Sequence, residues 1–139
     1  MKVKRLHEQA QLPVKAHAGD LGYDLFSNSQ LTLLAGETKL VSTGIAIQFP
    51  EGYGGLLRDR SSVATKRGLF VVAGVIDNGY TGEILVALHN SNEGFQTIYK
   101  GDKIAQLLLI PTVDFPVEEV EEISSSDGRN ANGFGSTGT

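Results

Sequence analysis

The sequence contains no cysteine, which excludes disulfides and thiolate metal sites and is compatible with a reducing compartment. Nothing in it approaches the roughly 18 consecutive apolar residues of a membrane-crossing helix, and the opening "MKVKRLHEQA" lacks the apolar stretch of a secretory signal. The expectation is a soluble, cytoplasmic protein with no membrane partner. Basic residues are in the minority, 12 Lys and Arg against 16 Asp and Glu, for a net charge of −4. Nucleic acid is bound largely by neutralising its phosphates, so no nucleic-acid partner is expected. There is no internal repeat and no helical pattern longer than two turns. The histidines, His7, His17 and His89, lack the spacing of a metal-ligand set.

What is present is a chain of 139 residues, 40% hydrophobic, which suffices for one domain with its own core but not for two. Short apolar runs alternate with period two. "GIAIQF" puts Ile45, Ile47 and Phe49 on one face, and "EILVALHN" puts Ile84, Val86 and Leu88 opposite Leu85, Ala87 and His89. "LTLL", "TKLVSTGIAIQF", "YGGLLR", "LFVVAGVID" and "GFQTIYKGDKIAQLLLIPTV" read as strands between Gly, Pro, Asn and Asp turns. The pattern predicts an all-β barrel or sandwich. Only "SSVATKRG" predicts a short helix, with Ser61 or Ser62 as its N-cap.

Charge is unevenly spread. "RDRSSVATKR", residues 58 to 67, sets Arg58, Arg60, Lys66 and Arg67 against Asp59 alone, whereas "DFPVEEVEEISSSD" has no basic residue. A basic patch on an acidic protein suits a small, highly charged anion, although a solvated loop has the same composition. Residues 124 to 139 offer only Ala131 and Phe134 as apolar side chains, too few to offset the entropy of ordering. They read either as a frayed terminus or as an arm that orders on a ligand. Gly133, Gly135 and Gly138 have the spacing of a dinucleotide-binding turn. No Lys follows them, and neither the helix nor the ribose acid of that motif follows either, so that function is not expected.

Two internal stretches carry chemistry. In "VVAGVIDNGYTGEILV" the dipeptide Asn78 and Gly79 tolerates positive φ and predicts a tight hairpin. Asp77 stands beside it, either facing a cleft or simply bonding to turn NH groups. In "DRSS" Arg60 supplies a planar five-donor fork, and Ser61 and Ser62 supply hydroxyls and helix-start NH groups. Such a set accepts phosphate oxygens, although a serine at a helix start needs no ligand.

Five segments stand in one order: "AGDLGYDLFS" (18 to 27), "DRSSVATKRGL" (59 to 69), "GVIDNGYTGEI" (74 to 84), "GDKIAQLLL" (101 to 109) and "RNANGFGSTG" (129 to 138). Together they resemble the five motifs of the trimeric deoxyuridine triphosphatases, the dUTPase family, over nearly the whole chain. The resemblance implies a jelly-roll-like distorted β-barrel forming a homotrimer whose sites are each shared between subunits. It implies cleavage of dUTP, with Mg²⁺, to dUMP and pyrophosphate, which keeps uracil out of DNA and supplies dUMP for dTTP synthesis. Residues 1 to 123 would form the barrel and residues 124 to 139 an arm closing over a neighbour's site.

Residue by residue, the match makes Asp77 the carboxylate that orients and deprotonates the attacking water. It gives the uracil edge to backbone groups of Gly74, Val75, Ile76 and Leu85, and the deoxyribose to Tyr80. Arg60, Ser61 and Ser62 take phosphate oxygens, and Gln106 stands near the α-phosphate and the water. Asp24 would act on the metal through water or hold a neighbouring arginine, with Asp20 close by as the other acid. In the arm, Arg129 would meet the γ-phosphate, Phe134 would stack on uracil, and Gly135, Ser136 and Thr137 would wrap phosphates. "NAN" at 130 to 132 replaces part of the family's glycine. The related dCTP deaminases, including the bifunctional deaminase and dUTPase, share the fold and an Arg-Ser-Ser motif. They place a catalytic Glu where this chain has Ala87, while Ser62 stands where many dUTPases have Gly. A nucleotide-sensing trimer without catalysis is the reading from another class.

Overall fold

In the computed structural model, residues 1 to 124 are described. The strands are β1 (Lys2–Arg5), β2 (Tyr23–Phe26), β3 (Leu31–Leu33), β4 (Thr38–Gln48), β5 (Tyr53–Arg58), β6 (Leu69–Val71), β7 (Val75–Ile76), β8 (Glu83–Asn90), β9 (Gln96–Ile98) and β10 (Lys103–Pro111), with the helix α1 (Ser61–Arg67) between β5 and β6. They form two four-stranded sheets, in the orders β1-β4-β8-β6 and β2-β10-β5-β7, and a two-stranded ribbon β3-β9. All pairings are antiparallel. The architecture is all-β and jelly-roll-like, as the alternation predicts.

The core comes from the predicted faces. Ile45, Ile47 and Phe49 of β4 and its end, with Ile84, Val86 and Leu88 of β8, are buried, and they meet Leu25, Ile104 and Leu107 from the second sheet. Each such side chain removed from water contributes about 1.5–3 kcal/mol. One polar side chain shares this interior. Asn90, fully buried, donates to the carbonyls of Leu33 (3.2 Å), Leu34 (3.0 Å) and Gly94 (2.8 Å) and accepts from the Asn92 NH (3.1 Å). Its hydrogen bonds replace those lost to water and pin the loops beside β3 and β9.

Four expectations need correction. The charged opening segment forms β1, because its edge position on β4 leaves most of its side chains in solvent. "YDLF" of the first motif is β2, made a strand by its pairing with β10. "LFVVAGVID" is two strands, not one, since Ala73 turns at φ 66° and passes the chain from the first sheet to the second. The helix N-cap is Arg60, extended at φ −84° and ψ 134°, with no side-chain cap bond, so neither Ser61 nor Ser62 caps it. At its other end Gly68 adopts φ 58° and closes the helix on the Ala64 carbonyl.

The expected hairpin at Asn78 and Gly79 is also altered. β7 pairs with β5 and β8 with β4 and β6, so the two arms belong to different sheets. Gly79 adopts φ 91°, while Asn78 is not among the positive-φ residues. A single positive φ at the second central position is the type II pattern, which splays the flanking strands where a type I′ turn would zip them. The turn is therefore a corner with an open wedge.

Leu88 is fully buried in the middle of β8. Leu88→Ala is expected to cost about 2–5 kcal/mol, read as a lowered denaturant midpoint with an unchanged slope in equilibrium unfolding.

Candidate active site

The wedge between β7 and β8 is a cavity of about 220 Å³ lined by Val75, Ile76, Asp77, Tyr80, Glu83, Ile84 and Leu85. Its floor is apolar because it is cut into the core edge of β8. Val75 stands at the rim, 79% exposed. The Tyr80 hydroxyl donates to the Glu83 carbonyl (3.0 Å), laying the ring across the turn. Gly82 leaves room for it, since a Cβ there would lie 2.6 Å from Tyr80 Cζ. Asp77 is exposed at the tip of the turn, where the Tyr80 NH bonds to its carbonyl (3.2 Å). Gly74 lies beneath the slot rather than in it. Its carbonyl accepts from the Leu57 NH (2.8 Å), and a Cβ at this position would sit 2.7 Å from the Leu57 carbonyl oxygen.

A second cavity, of about 590 Å³, is lined by residues of the 16 to 24 segment together with Arg60, Ser61, Ser62 and Gln106. Asp24 organises it. Buried on β2, its carboxylate binds Arg60 Nε through Oδ1 (2.7 Å) and Lys103 Nζ through Oδ2 (2.8 Å). These charge-assisted bonds occupy only Nε of the guanidinium; no hydrogen bond from its terminal nitrogens is found among the described residues. Of the two roles expected of Asp24, holding an arginine is the one its contacts match. Asp20 instead accepts from the His17 NH (2.9 Å) and closes a turn.

Gln106 is not the interior amide that its apolar neighbours suggest. A register shift between Lys103 and Ala105 turns both Ile104 and Ala105 to the core. Gln106 then faces the cavity, half-buried, and its NH₂ donates to the Asp59 carbonyl (2.7 Å). Asp59 in turn accepts from the Val71 NH (2.5 Å), tying the start of α1 to β6. The bulge thus supplies both a filled core and a polar lining.

The structure brings Asp24, Arg60, Ser61, Ser62 and Gln106 together, and separately Val75, Ile76, Asp77, Tyr80 and Leu85. It does not join the two sets within one chain. Arg129, Phe134, Gly135, Ser136 and Thr137 lie outside the described residues. Lys103 and Glu83 were missed as site residues. Both lie inside quoted motifs, yet their partners, Asp24 for the one and Ser42 and the Gly44 NH (2.7 Å) for the other, are far away in sequence. Among the described residues no group of three or more His, Asp or Glu could hold a metal ion. Asp24 is already committed to two cations. The donor set therefore does not fit a metal caged by the protein.

An arginine and two serines beside a roomy polar cavity, with a narrow apolar slot under a tyrosine elsewhere, define a nucleotide-binding protein of the all-β, jelly-roll-like type. The chain belongs to the dUTPase family, whose model matches residues 8 to 138. It is 44% identical over 138 residues to the deoxyuridine 5'-triphosphate nucleotidohydrolase of Clostridium novyi (strain NT), covering 98% of this chain and 96% of that one. With the enzyme of the same name from Trichodesmium erythraeum (strain IMS101) it shares 43% identity over 141 residues, covering 100% and 99%. The dUTPase of Staphylococcus bacteriophage 80alpha, solved with dUpNHpp, superposes with a TM-score of 0.93 at 33% identity, covering 99% of this chain and 98% of that chain. The dUTPase of phage phi11 of S. aureus, described as coordinating a structural Mg(II) ion, superposes with a TM-score of 0.83 at 32% identity over 89% of this chain and 98% of its own.

Gly22 bears on the site directly, because a Cβ there would collide with the Gln106 carboxamide oxygen. Gly22→Ala is expected to displace that amide and lower turnover about tenfold or more while the far-ultraviolet circular dichroism stays that of the wild type.

Proposed function

We propose that this protein hydrolyses dUTP to dUMP and pyrophosphate by attack of water on the α-phosphorus, in the cytoplasm, keeping uracil out of DNA and supplying dUMP. The carrying observation is the exposed Asp77 carboxylate at the mouth of a slot of about 220 Å³ whose rim is formed by β7 and Tyr80. A slot of this size takes a pyrimidine edge-on. Backbone groups of Val75, Ile76 and Leu85 read the uracil edge, and the Tyr80 ring, held by its bond to Glu83, packs on the deoxyribose and crowds out a 2′-hydroxyl. Asp77 orients the attacking water and accepts its proton. Arg60, Ser61 and Ser62 hold phosphate oxygens, and Gln106, anchored on Asp59, faces the α-phosphate. The substrate is taken as its Mg²⁺ complex, in which the ion offsets charge on the departing pyrophosphate. The donor set supports an ion arriving on the triphosphate rather than one resident in the protein.

The complete site is shared between subunits of a homotrimer. Two observations support this. The anion cavity and the base slot do not meet within one chain, and Val113, Phe115, Val117, Val120 and Ile123 stand exposed after the last strand, Val117 fully so. Apolar side chains in such number gain by being covered. Residues 124 to 139 then form the arm that brings Arg129, Phe134, Gly135, Ser136 and Thr137 to the bound nucleotide, excluding bulk water. Against the deaminase reading, Ala87 offers only a methyl group where the general acid and base of that chemistry would stand. No helix among the described residues is long and apolar enough to cross a membrane.

Pyrophosphate release from dUTP, set against dTTP, dCTP and UTP with and without Mg²⁺, tests the assignment. Asp77→Asn is expected to keep nucleotide binding while turnover falls about a hundred- to ten-thousandfold; undiminished turnover would remove Asp77 as base. Mixing Asp77→Asn subunits with subunits lacking residues 129 to 139 is expected to restore part of the activity, because base and arm then come from different chains. No recovery would place the whole site in one subunit.

A further inference from the structure

We propose that Asn78 is a positioning residue for Asp77, an inference that rests on reading Asp77 as the base. The Asp77 carboxylate makes no hydrogen bond among the described residues, so its direction depends on the backbone that carries it. That backbone is sparsely held. The ladder of β7 on β5 ends at Ile76 opposite Gly55, one residue before Asp77, and β8 offers β7 no ladder at all.

Asn78 extends the attachment by one step. Its single amide nitrogen donates to two carbonyls, Pro50 (2.8 Å) and Tyr53 (2.6 Å). Those carbonyls bound a second turn, closed by the Tyr53 NH on the Pro50 carbonyl (3.2 Å) with Gly52 at φ 73°. This second turn is itself fastened to the body, since the Thr112 NH bonds to the Gly52 carbonyl (2.8 Å) and Tyr53 opposes Pro111 of β10. Gly54 lets the two turns approach, as a Cβ there would stand 2.9 Å from the Ile76 carbonyl oxygen. Side-chain hydrogen bonds of one amide thus join the tip that carries the base to the rigid edge of the second sheet.

The chemistry of the clamp is specific to an amide. Two carbonyl acceptors demand two donors on one atom, which the Asn NH₂ supplies and an ionised Asp of equal size cannot. The clamp is also solvent-exposed, so water can replace its bonds in the unclamped chain at little cost in stability. Its consequence falls on the aim of Asp77. The base slot has independent supports in the β5 ladder and in the Tyr80 bond to Glu83.

The test uses full-length Asn78→Ala and Asn78→Asp beside the wild type. We expect kcat on dUTP to fall about ten- to a hundredfold in both, with KM and melting temperature close to wild type. Amide hydrogen exchange at Tyr80 should quicken while that at Val75 and Ile76 does not change. Wild-type kcat in either variant would overturn the proposal, as would a loss explained by a raised KM or a lowered melting temperature. Unchanged exchange at Tyr80 overturns the clamp whatever the activity. Quickened exchange in a protein whose wild type does not cleave dUTP would leave the clamp standing and strike the reading of Asp77 instead.

Discussion

A carboxylate held between two cations organises the anion half of this molecule. Asp24 lies buried on β2, yet its two oxygens reach Arg60 at the start of α1 and Lys103 at the start of β10. Taking a carboxylate out of water is costly unless it is paired and hydrogen-bonded, and removing one partner leaves a buried charge uncompensated. Three elements distant in sequence are thereby held in one arrangement. The net positive charge that remains after Asp24 is matched faces the cavity, which is why an acidic protein can present a local site for a polyanion.

The base half follows from a different constraint, the change of sheet between β7 and β8. Ala73 in the left-handed region and the type II pattern at Gly79 together route the chain across a corner instead of zipping a hairpin. The space that a ladder would have filled becomes the slot. Close packing around it depends on missing side chains: Gly54, Gly74 and Gly82 each sit where a Cβ would strike a carbonyl or the Tyr80 ring. Rigid surroundings with an open wedge suit a site that must reject molecules differing by a methyl or a hydroxyl, because a densely packed wall does not yield to them.

Much of the fold was legible because a buried face repeats every second residue. Ile45, Ile47 and Phe49, and Ile84, Val86 and Leu88, could be assigned to the core before any coordinates, and each is buried. The helix at 61 to 67 was legible too, although its cap was not, since a serine that can cap is also free to face a cavity. β1 was illegible because an edge strand exposing alternate Lys and Arg has no apolar period. The direction of Gln106 was illegible because one inserted residue near Lys103 inverts the alternation downstream. The pairing of Asp24 with both Arg60 and Lys103 could not be read because nothing local marks which of several basic residues will arrive beside it.

By itself the sequence determined the class of the fold, the family and the residues that carry its chemistry, since periodicity and motif spacing are properties of the chain. Only the tertiary structure decided how those residues are grouped. Residues 59 to 62 and 75 to 80 lie close in sequence, yet they end up in two separate cavities. The physical reason is that strand pairing, not sequence distance, sets what a side chain faces. β7 satisfies its backbone on β5 and β8 on β4, so a turn written like a hairpin became the open mouth of a slot.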